Sequence, residues 1–271
     1  MTERRPRSEK RQASSDAKAL YPTQRHQVIL DRLRVAGRVD VADMMTDIGV
    51  TNETIRKDLI ELERQGLLRR VHGGAVPVGQ LTYEPSVSSR IDHQAEKRRI
   101  ATAALAHLPE GGTVLIDAGS TTAELVDVLP DDRELTVYTN TLTIAVGLVH
   151  RPRTTVMLLG GRVRPLTMAG VDDWAARALS EINVDVAFLG ANAISIDRGL
   201  TTPDNAEAAI KRLMLHSAQR RILLADHTKL GRVSLCKHAD LADIDLLITD
   251  DGVPAAELKA LRATGLTVEL A

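Results

Sequence analysis

Apolar positions in the N-terminal part of the chain recur at helical spacing. Val28, Ile29, Leu33 and Ala36 make one face of a helix predicted over Thr23–Ala36. Arg32 interrupts that face and Gly37 ends the helix. Val41, Ala42, Met44 and Met45 mark a second, short helix over Val41–Asp47. After the turn Ile48-Gly49-Val50, Ile55, Leu59 and Leu62 fall at i, i+4 and i+7, the stripe of a third helix. Thr51 precedes that helix as an N-cap, its hydroxyl facing the unpaired amides of the first turn. Thr54, Arg56, Lys57 and Glu61 lie off the stripe. The last two helices and their tight turn form a helix-turn-helix pattern.

Past Gly66 the pattern changes. Leu67–Val76 contains two short β-prone runs around Gly73-Gly74, a pair able to take the positive φ of a tight turn, and reads as a β-hairpin wing. Residues 78–93 show little periodicity and hold Gly79, Pro85 and three serines, so a linker is predicted there. A helix over Gln94–His107 follows, apolar at Ile100, Ala103, Ala104 and Leu105.

From Gly111 onward, strand-like runs alternate with helical ones. The strands are Thr113–Asp117, Leu135–Thr139, Thr155–Leu159, Val184–Leu189, Arg221–Ala225, Leu246–Thr249 and Leu266–Leu270. Helical patterns fall near Ser120–Leu129, Leu142–His150, Trp174–Ser180, Asp204–Ala218 and Pro254–Ala263. This alternation predicts an α/β domain over 94–271, a mainly parallel sheet covered by helices. A winged helix-turn-helix domain over 23–77 precedes it.

Composition narrows the class. The first 22 residues are rich in Arg, Lys, Ser and Gln and read as a disordered tail. Aromatics are 2% of the chain, so the cores must be built from Leu, Val, Ile and Ala. The single cysteine, Cys236, excludes an intramolecular disulfide and is expected as a small buried apolar residue. No apolar run reaches the roughly 18 residues of a membrane helix. The basic start lacks the apolar core of a secretory signal, so a cytoplasmic protein with no membrane partner is expected. The net charge of −1 is unevenly spread: Met1–Pro77 holds 15 Lys and Arg against 11 Asp and Glu, the remainder 20 against 25. A mildly basic module on an acidic body is consistent with nucleic-acid binding by the N-terminal part.

Candidate chemistry collects in two places. A capped helix with a hydroxyl and two cations near its start suits a DNA major groove, although an ordinary amphipathic surface helix has the same pattern. The candidate DNA contacts are Thr51, Asn52, Thr54, Arg56 and Lys57, with Arg69, Arg70 and His72 of the wing. In the second domain, polar residues gather at the carboxyl ends of successive strands, where open α/β sheets bind ligands. They are Asp117, Gly119, Ser120, Thr121 and Thr122; then Thr139, Asn140 and Thr141; then Gly160, Gly161 and Arg164; then Asn192. Small residues, hydroxyls and helix-start amides suit an anion. Glu207 and Lys211 lie four apart on one helix face, either as a surface ion pair or aimed into the pocket with Asp204. Asp226 and Lys229 invite the same two readings. His216, His227 and His238 show no ligand spacing, so neither a metal nor a cofactor is expected.

From Thr23 to Val76 the chain resembles the winged helix-turn-helix domain of the DeoR family of bacterial transcription regulators. The resemblance is carried by Arg25, Ile29, Val41, Ala42, Gly49-Val50, the run Thr54-Ile55-Arg56-Lys57-Asp58-Leu59, and Leu67–Val76. It implies that Thr54, Arg56 and Lys57 contact DNA and that Asp58 is structural. The second half resembles the effector domain of the same family, similar in fold to ribose-5-phosphate isomerase and glucosamine-6-phosphate deaminase. Asp117–Thr122, Thr139-Asn140, Gly160–Pro165, Phe188–Asn192, Gly199–Asp204, Glu207–Lys211 and Leu224–Lys229 carry it. It implies a phosphorylated sugar or related metabolite as effector, and a double-stranded DNA operator read by a homo-oligomer, dimer or tetramer. The family has Asp and Gly where Asn192 and Ala193 stand, so a pocket carboxylate is lost and the case for enzymatic chemistry weakens. The expected function is a non-enzymatic repressor of carbohydrate-metabolism genes. The alternatives are a phosphosugar isomerase or deaminase carrying a DNA-binding module, and a metabolite-binding module with no DNA role.

Overall fold

The computed structural model describes residues 20–65, 67–77 and 81–271, and the chain divides into two compact units, Met1–Gly79 and Gln80–Ala271. The predicted tail lies, as far as residue 19, outside the described residues.

In the first unit the apolar stripes become three helices and a small sheet. Helix α1 spans Pro22–Ala36, strand β1 Val39–Asp40, α2 Val41–Ile48, α3 Asn52–Arg64, β2 Leu68–Val71 and β3 Gly74–Pro77. Ile29, Leu33, Met44, Ile55, Leu59, Leu62 and Leu68 close into one core. Gly37 and Gly49 end α1 and α2 in the left-handed conformation. The sheet order is β1-β3-β2, antiparallel throughout. Its two turn glycines have different reasons. Gly73 has φ 75°, which the turn requires. Gly74, expected to share that role, has none of it; a Cβ there would lie 1.9 Å from the Val39 carbonyl oxygen. Gly74 is small because β1 passes against it.

The second unit is built on a seven-stranded sheet of order β15-β14-β12-β9-β4-β5-β6, parallel at every pairing. In chain order its elements begin with α4 (Gln94–Ala104), β4 (Gly111–Ile116), α5 (Ser120–Ala123), α6 (Leu125–Val128), β5 (Glu134–Thr139), α7 (Leu142–Leu148) and β6 (Thr154–Leu158). Next come β7 (Arg162–Arg164), β8 (Ala169–Val171), α8 (Asp173–Ser180), β9 (Val184–Gly190), β10 (Ala193–Ser195), β11 (Gly199–Thr202) and α9 (Asn205–His216). The last are β12 (Ala218–Leu224), β13 (Cys236–Ala239), β14 (Leu246–Thr249), α10 (Ala255–Ala263) and β15 (Val268–Leu270). The seven strand-like runs of the sequence are the seven strands of this sheet. Their residues alternate between two cores: Leu115, Ala187 and Leu223 pack with α8 and α9 on one face, and Val114, Phe188 and Ile222 pack with α4 and α7 on the other. Burial on both faces is what makes such strands continuous apolar runs.

Several expectations change. The helix near Ser120–Leu129 is two single turns, α5 and α6. The pattern gave no sign of the β7–β8 hairpin or the antiparallel sheet β10-β11-β13. Cys236 is half-buried rather than buried. The stretch predicted as a linker is, over 81–93, folded onto the second unit. The Leu235 amide donates to the Leu81 carbonyl (3.1 Å), the Val87 amide donates to the Leu166 carbonyl (2.7 Å), and Val87–Ser89 is a 3-10 turn. Within this strap Glu84 is buried, 8% exposed. No helix among the described residues is long and apolar enough to cross a membrane.

Candidate functional site

In the first unit, α3 presents one face to the core and one to solvent. The Thr51 hydroxyl accepts from the Thr54 amide (3.3 Å) and shares a hydrogen bond with the Thr54 hydroxyl (2.9 Å), so the cap forms as predicted. Ile55, Leu59 and Leu62 are buried, while Asn52, Arg56 and Lys57 are exposed. Lys57 lies 3.3 Å from Glu53 in an exposed ion pair, which solvent screens to little. Asp58 is buried and takes both Nε (2.7 Å) and Nη2 (2.9 Å) of Arg25, with His26 Nε2 at 3.2 Å. That clamp joins α1 to α3, in keeping with a structural Asp58. Arg69 is half-buried on β2, and His72 is exposed at the wing turn. Arg70 is engaged by Glu63 of α3, its Nε donating at 2.7 Å and its amide at 2.8 Å. Arg70 therefore fixes the wing to α3 in this structure, a partner the sequence did not suggest.

In the second unit a pocket opens where the strand order of the parallel sheet reverses. From the centre, β4, β5 and β6 succeed one another toward one edge, and β9, β12, β14 and β15 toward the other. The point between β4 and β9 is the switch at which such folds bind ligands. Of the predicted residues, Asp117, Asn140, Asn192, Glu207 and Lys211 line it. Glu84, Arg90 and Thr167 also line it and were not predicted. The free space is a cavity of about 10 Å3.

The groups around it are tightly paired. Asp117 Oδ2 accepts from the Gly190 amide at 3.0 Å and from Lys211 Nζ, which also donates to the Gly190 carbonyl at 3.1 Å. Glu207 accepts from the Thr167 hydroxyl and from Arg164 Nη1 at 3.2 Å. Arg164 also lies 3.2 Å from Asp204, whose other oxygen caps α9 by accepting from the Glu207 amide at 3.0 Å. Glu84 accepts from Arg164 at 2.5 Å, Arg90 at 2.6 Å and Asn192 Nδ2 at 2.8 Å. Glu207 and Lys211 are 5% and 6% exposed and bind other partners, so the surface ion-pair reading falls. Burial, with the nearby Glu84 carboxylate, pushes the Glu207 carboxyl above its usual range against Lys211, Thr167 and Arg164. Burial opposes the Arg164 charge, but Glu207, Glu84 and Asp204 hold its pKa above the ordinary value. Asn140 donates to the Gly170 carbonyl at 3.2 Å, while its buried Oδ1 has no partner. A buried acceptor without a donor carries a desolvation cost, and a ligand hydroxyl would relieve it.

The remaining predicted residues do not line the cavity. Gly119, Ser120, Thr121 and Thr122 form the start of α5, a single turn in which the Thr122 hydroxyl donates to the Gly119 carbonyl at 3.1 Å. Thr139 and Thr141 are buried on either side of Asn140, the Thr141 amide donating to the Thr139 hydroxyl at 3.3 Å. Gly160 and Gly161 lead into β7, whose Arg162 amide is held by Asp172 at 3.0 Å. Lys229 sits 3.9 Å from buried Asp226, and burial pulls its pKa down. No periodicity or motif marked Glu84 or Arg90, because the strap that carries them has only one short 3-10 turn and is otherwise placed by contacts distant in sequence.

Comparison with known proteins agrees with both halves. A family model described as the DeoR-like helix-turn-helix domain matches residues 25–80, and one described as the DeoR C terminal sensor domain matches residues 92–251. The chain is 37% identical over 250 residues to the HTH-type transcriptional regulator GlpR of Haloferax volcanii, covering 92% of this chain and 98% of that protein. It is 34% identical over 261 residues to the putative aga operon transcriptional repressor of Escherichia coli O157:H7, covering 95% and 97%. Solved structures resemble it only distantly. The probable sor operon regulator of Shigella flexneri has a TM-score of 0.43 at 14% identity, over 66% of this chain and 91% of that one. Ribose 5-phosphate isomerase A of Methanocaldococcus jannaschii has a TM-score of 0.37 at 16% identity, over 49% and 53%. With a helix-turn-helix unit and a sensor unit each matched in place, the chain belongs to the DeoR family and is a DNA-binding transcription regulator.

Proposed function

We propose that this regulator is a cytoplasmic repressor of carbohydrate-metabolism genes, released from its operator by a phosphorylated sugar or related metabolite held in the second unit. The observation that carries the ligand class is the switch-point pocket. Half-buried Arg90, buried Lys211 and Arg164 behind Glu84 can answer an anion, and the unpartnered Asn140 acceptor can answer a hydroxyl. The repressor reading is supported by the Escherichia coli relative, a putative aga operon transcriptional repressor. On the DNA side, Thr51, Asn52, Thr54, Arg56 and Lys57 of α3 would enter the major groove, with Arg69, Arg70 and His72 of the wing near the backbone. One winged module offers few base contacts, so a dimer or tetramer would read half-sites about 34–36 Å apart or at multiples of that spacing. The chain is read as performing no turnover of its ligand.

A thermal-shift screen against sugar phosphates, followed by gel shifts on DNA selected from a random library, tests this. A true effector at about 100 times its Kd stabilises the protein by ~2.7 kcal/mol and weakens DNA binding. Arg56→Ala and Lys57→Ala should lose the gel shift and keep the thermal response. Normal gel shifts from both variants sink the assignment of α3, and turnover of any sugar phosphate above a Glu207→Gln control sinks the non-enzymatic reading.

A further inference from the structure

The cavity is too small for the ligand class just proposed. Its 10 Å3 is the room of a single water, whereas small-molecule sites run to ~300–1,000 Å3. Something in the wall must leave before a sugar phosphate enters. The wall element that is not part of the α/β scaffold is the strap, residues 81–93, and its one acidic side chain in the cavity is Glu84. That side chain is 1% exposed and fills a receptor made of Arg164 on β7, Asn192 after β9 and Arg90 of the strap itself. Two guanidinium groups and an amide N–H converging on one carboxylate form an anion receptor. Around Glu84 the strap has neither helix nor strand, and two flanking backbone hydrogen bonds, at Leu81 and Val87, tie it to the body.

We propose that Glu84 is a built-in stand-in for the effector's anionic group, and that the effector binds by exchanging with it, freeing the strap. The proposal rests on the reading of this pocket as the effector site and names its anion subsite as Arg164 and Asn192, the partners of Glu84 that stay with the body when the strap leaves. Two anions cannot share that receptor: an incoming phosphate would meet the Glu84 carboxylate as well as the Glu207 carboxylate behind it. Exchange keeps the buried charges balanced, since one anion leaves as another arrives. It also places the response on the segment that follows directly, in sequence, on the DNA-binding unit. Asn192 belongs to the device, because a carboxylate at that position would face Glu84 within hydrogen-bond distance and expel it.

Inorganic phosphate is the probe, with chloride at matched ionic strength as control. In thermal-shift titrations the phosphate midpoint of Glu84→Ala and of Glu84→Gln should fall at least tenfold below that of the unchanged protein. Hydrogen exchange on the unchanged full-length protein is the second readout. Saturating phosphate should speed exchange at the strap amides, Val87 first, while leaving the amides of β4 and β9 protected. Equal midpoints in all three proteins, or a strap equally or better protected with phosphate, overturn the proposal. If neither variant folds, the exchange measurement on the unchanged protein decides alone. Exchange of Glu84 for phosphate, with sugar phosphates gaining nothing over inorganic phosphate, would keep this inference and reject the sugar-phosphate effector.

Discussion

Asp58 lies under Arg25 and His26, and it shows how one side chain can constrain an interface it never touches. It stands beside the DNA-contact candidates in sequence, yet its carboxylate faces inward and ties α1 to α3. Replacing it with Ala strands the Arg25 guanidinium, 12% exposed, without its partner. Removing one side of this part-buried, hydrogen-bonded pair costs about 1–3 kcal/mol. Hydrogen exchange of the α1 and α3 amides in full-length Asp58→Ala should quicken accordingly, with the second unit unchanged. His238 offers a pH test. Burial, with Lys211 and Arg212, lowers its pKa from 6.5 to about 3, so it is neutral in the fold. The unfolded chain binds a proton there that the folded chain refuses, so stability is full above pH 6.5 and falls as pH drops toward 3. The slope approaches about 1.4 kcal/mol per pH unit. Denaturant unfolding at pH 7.5 and 5.5 should show the unchanged protein losing about 1 kcal/mol more than His238→Leu, while the carboxylates stay ionised. Equal losses would mean that His238 titrates normally in the fold.

Among the elements, the wing is the most exposed to a small change. The Gly74 position leaves no room for a Cβ against the Val39 carbonyl, so Gly74→Ala must push β1 away from β3. Gel shifts should weaken at least tenfold, while the sensor unit's thermal response to ligand stays as it was; unchanged DNA binding would show that the wing is dispensable. The same elements show what could be read from sequence. The stripe Ile55, Leu59, Leu62 and the cap Thr51 placed α3, because helix periodicity and capping are local. The central parallel strands were visible because burial on both faces leaves runs such as Leu246-Leu247-Ile248 apolar, whereas the edge strand β6, largely exposed, showed only as a short β-prone run. Strands β7, β8, β10, β11 and β13 were not, since three or four residues such as Arg162–Arg164 carry no period and owe their pairing to the sheet beside them. The pocket was legible where it sits at strand ends, at Asp117, Asn140 and Asn192. The loop at Gly119–Thr122 lies beside the pocket lining rather than in it, with the Thr122 hydroxyl turned back onto the Gly119 carbonyl. Glu84 and Arg90 were invisible, since an aperiodic stretch looks the same whether it is loose or pinned by distant residues.

At the scale of the whole molecule, the two units differ in how far their defining contacts reach along the chain. The first unit closes between Arg25 and Asp58, 33 residues apart. The pocket of the second closes between Glu84 and Asn192, 108 residues apart, and between Asp117 and Lys211, 94 apart. Long-range parallel pairing is slow to form because loop closure precedes its reward. Denaturant unfolding followed by hydrogen exchange should therefore show the first unit refolding ahead of the second; simultaneous protection of α3 and β9 would contradict this. The order matters during synthesis. Chains emerge at about 5–20 residues per second and fold from the N-terminus. The helix-turn-helix unit is therefore complete while Asn192 still lies several seconds from the ribosome exit. For that interval a nascent chain has its helix-turn-helix unit and no seat for Glu84, so on the reading proposed above the part that meets DNA exists before the part that would regulate it.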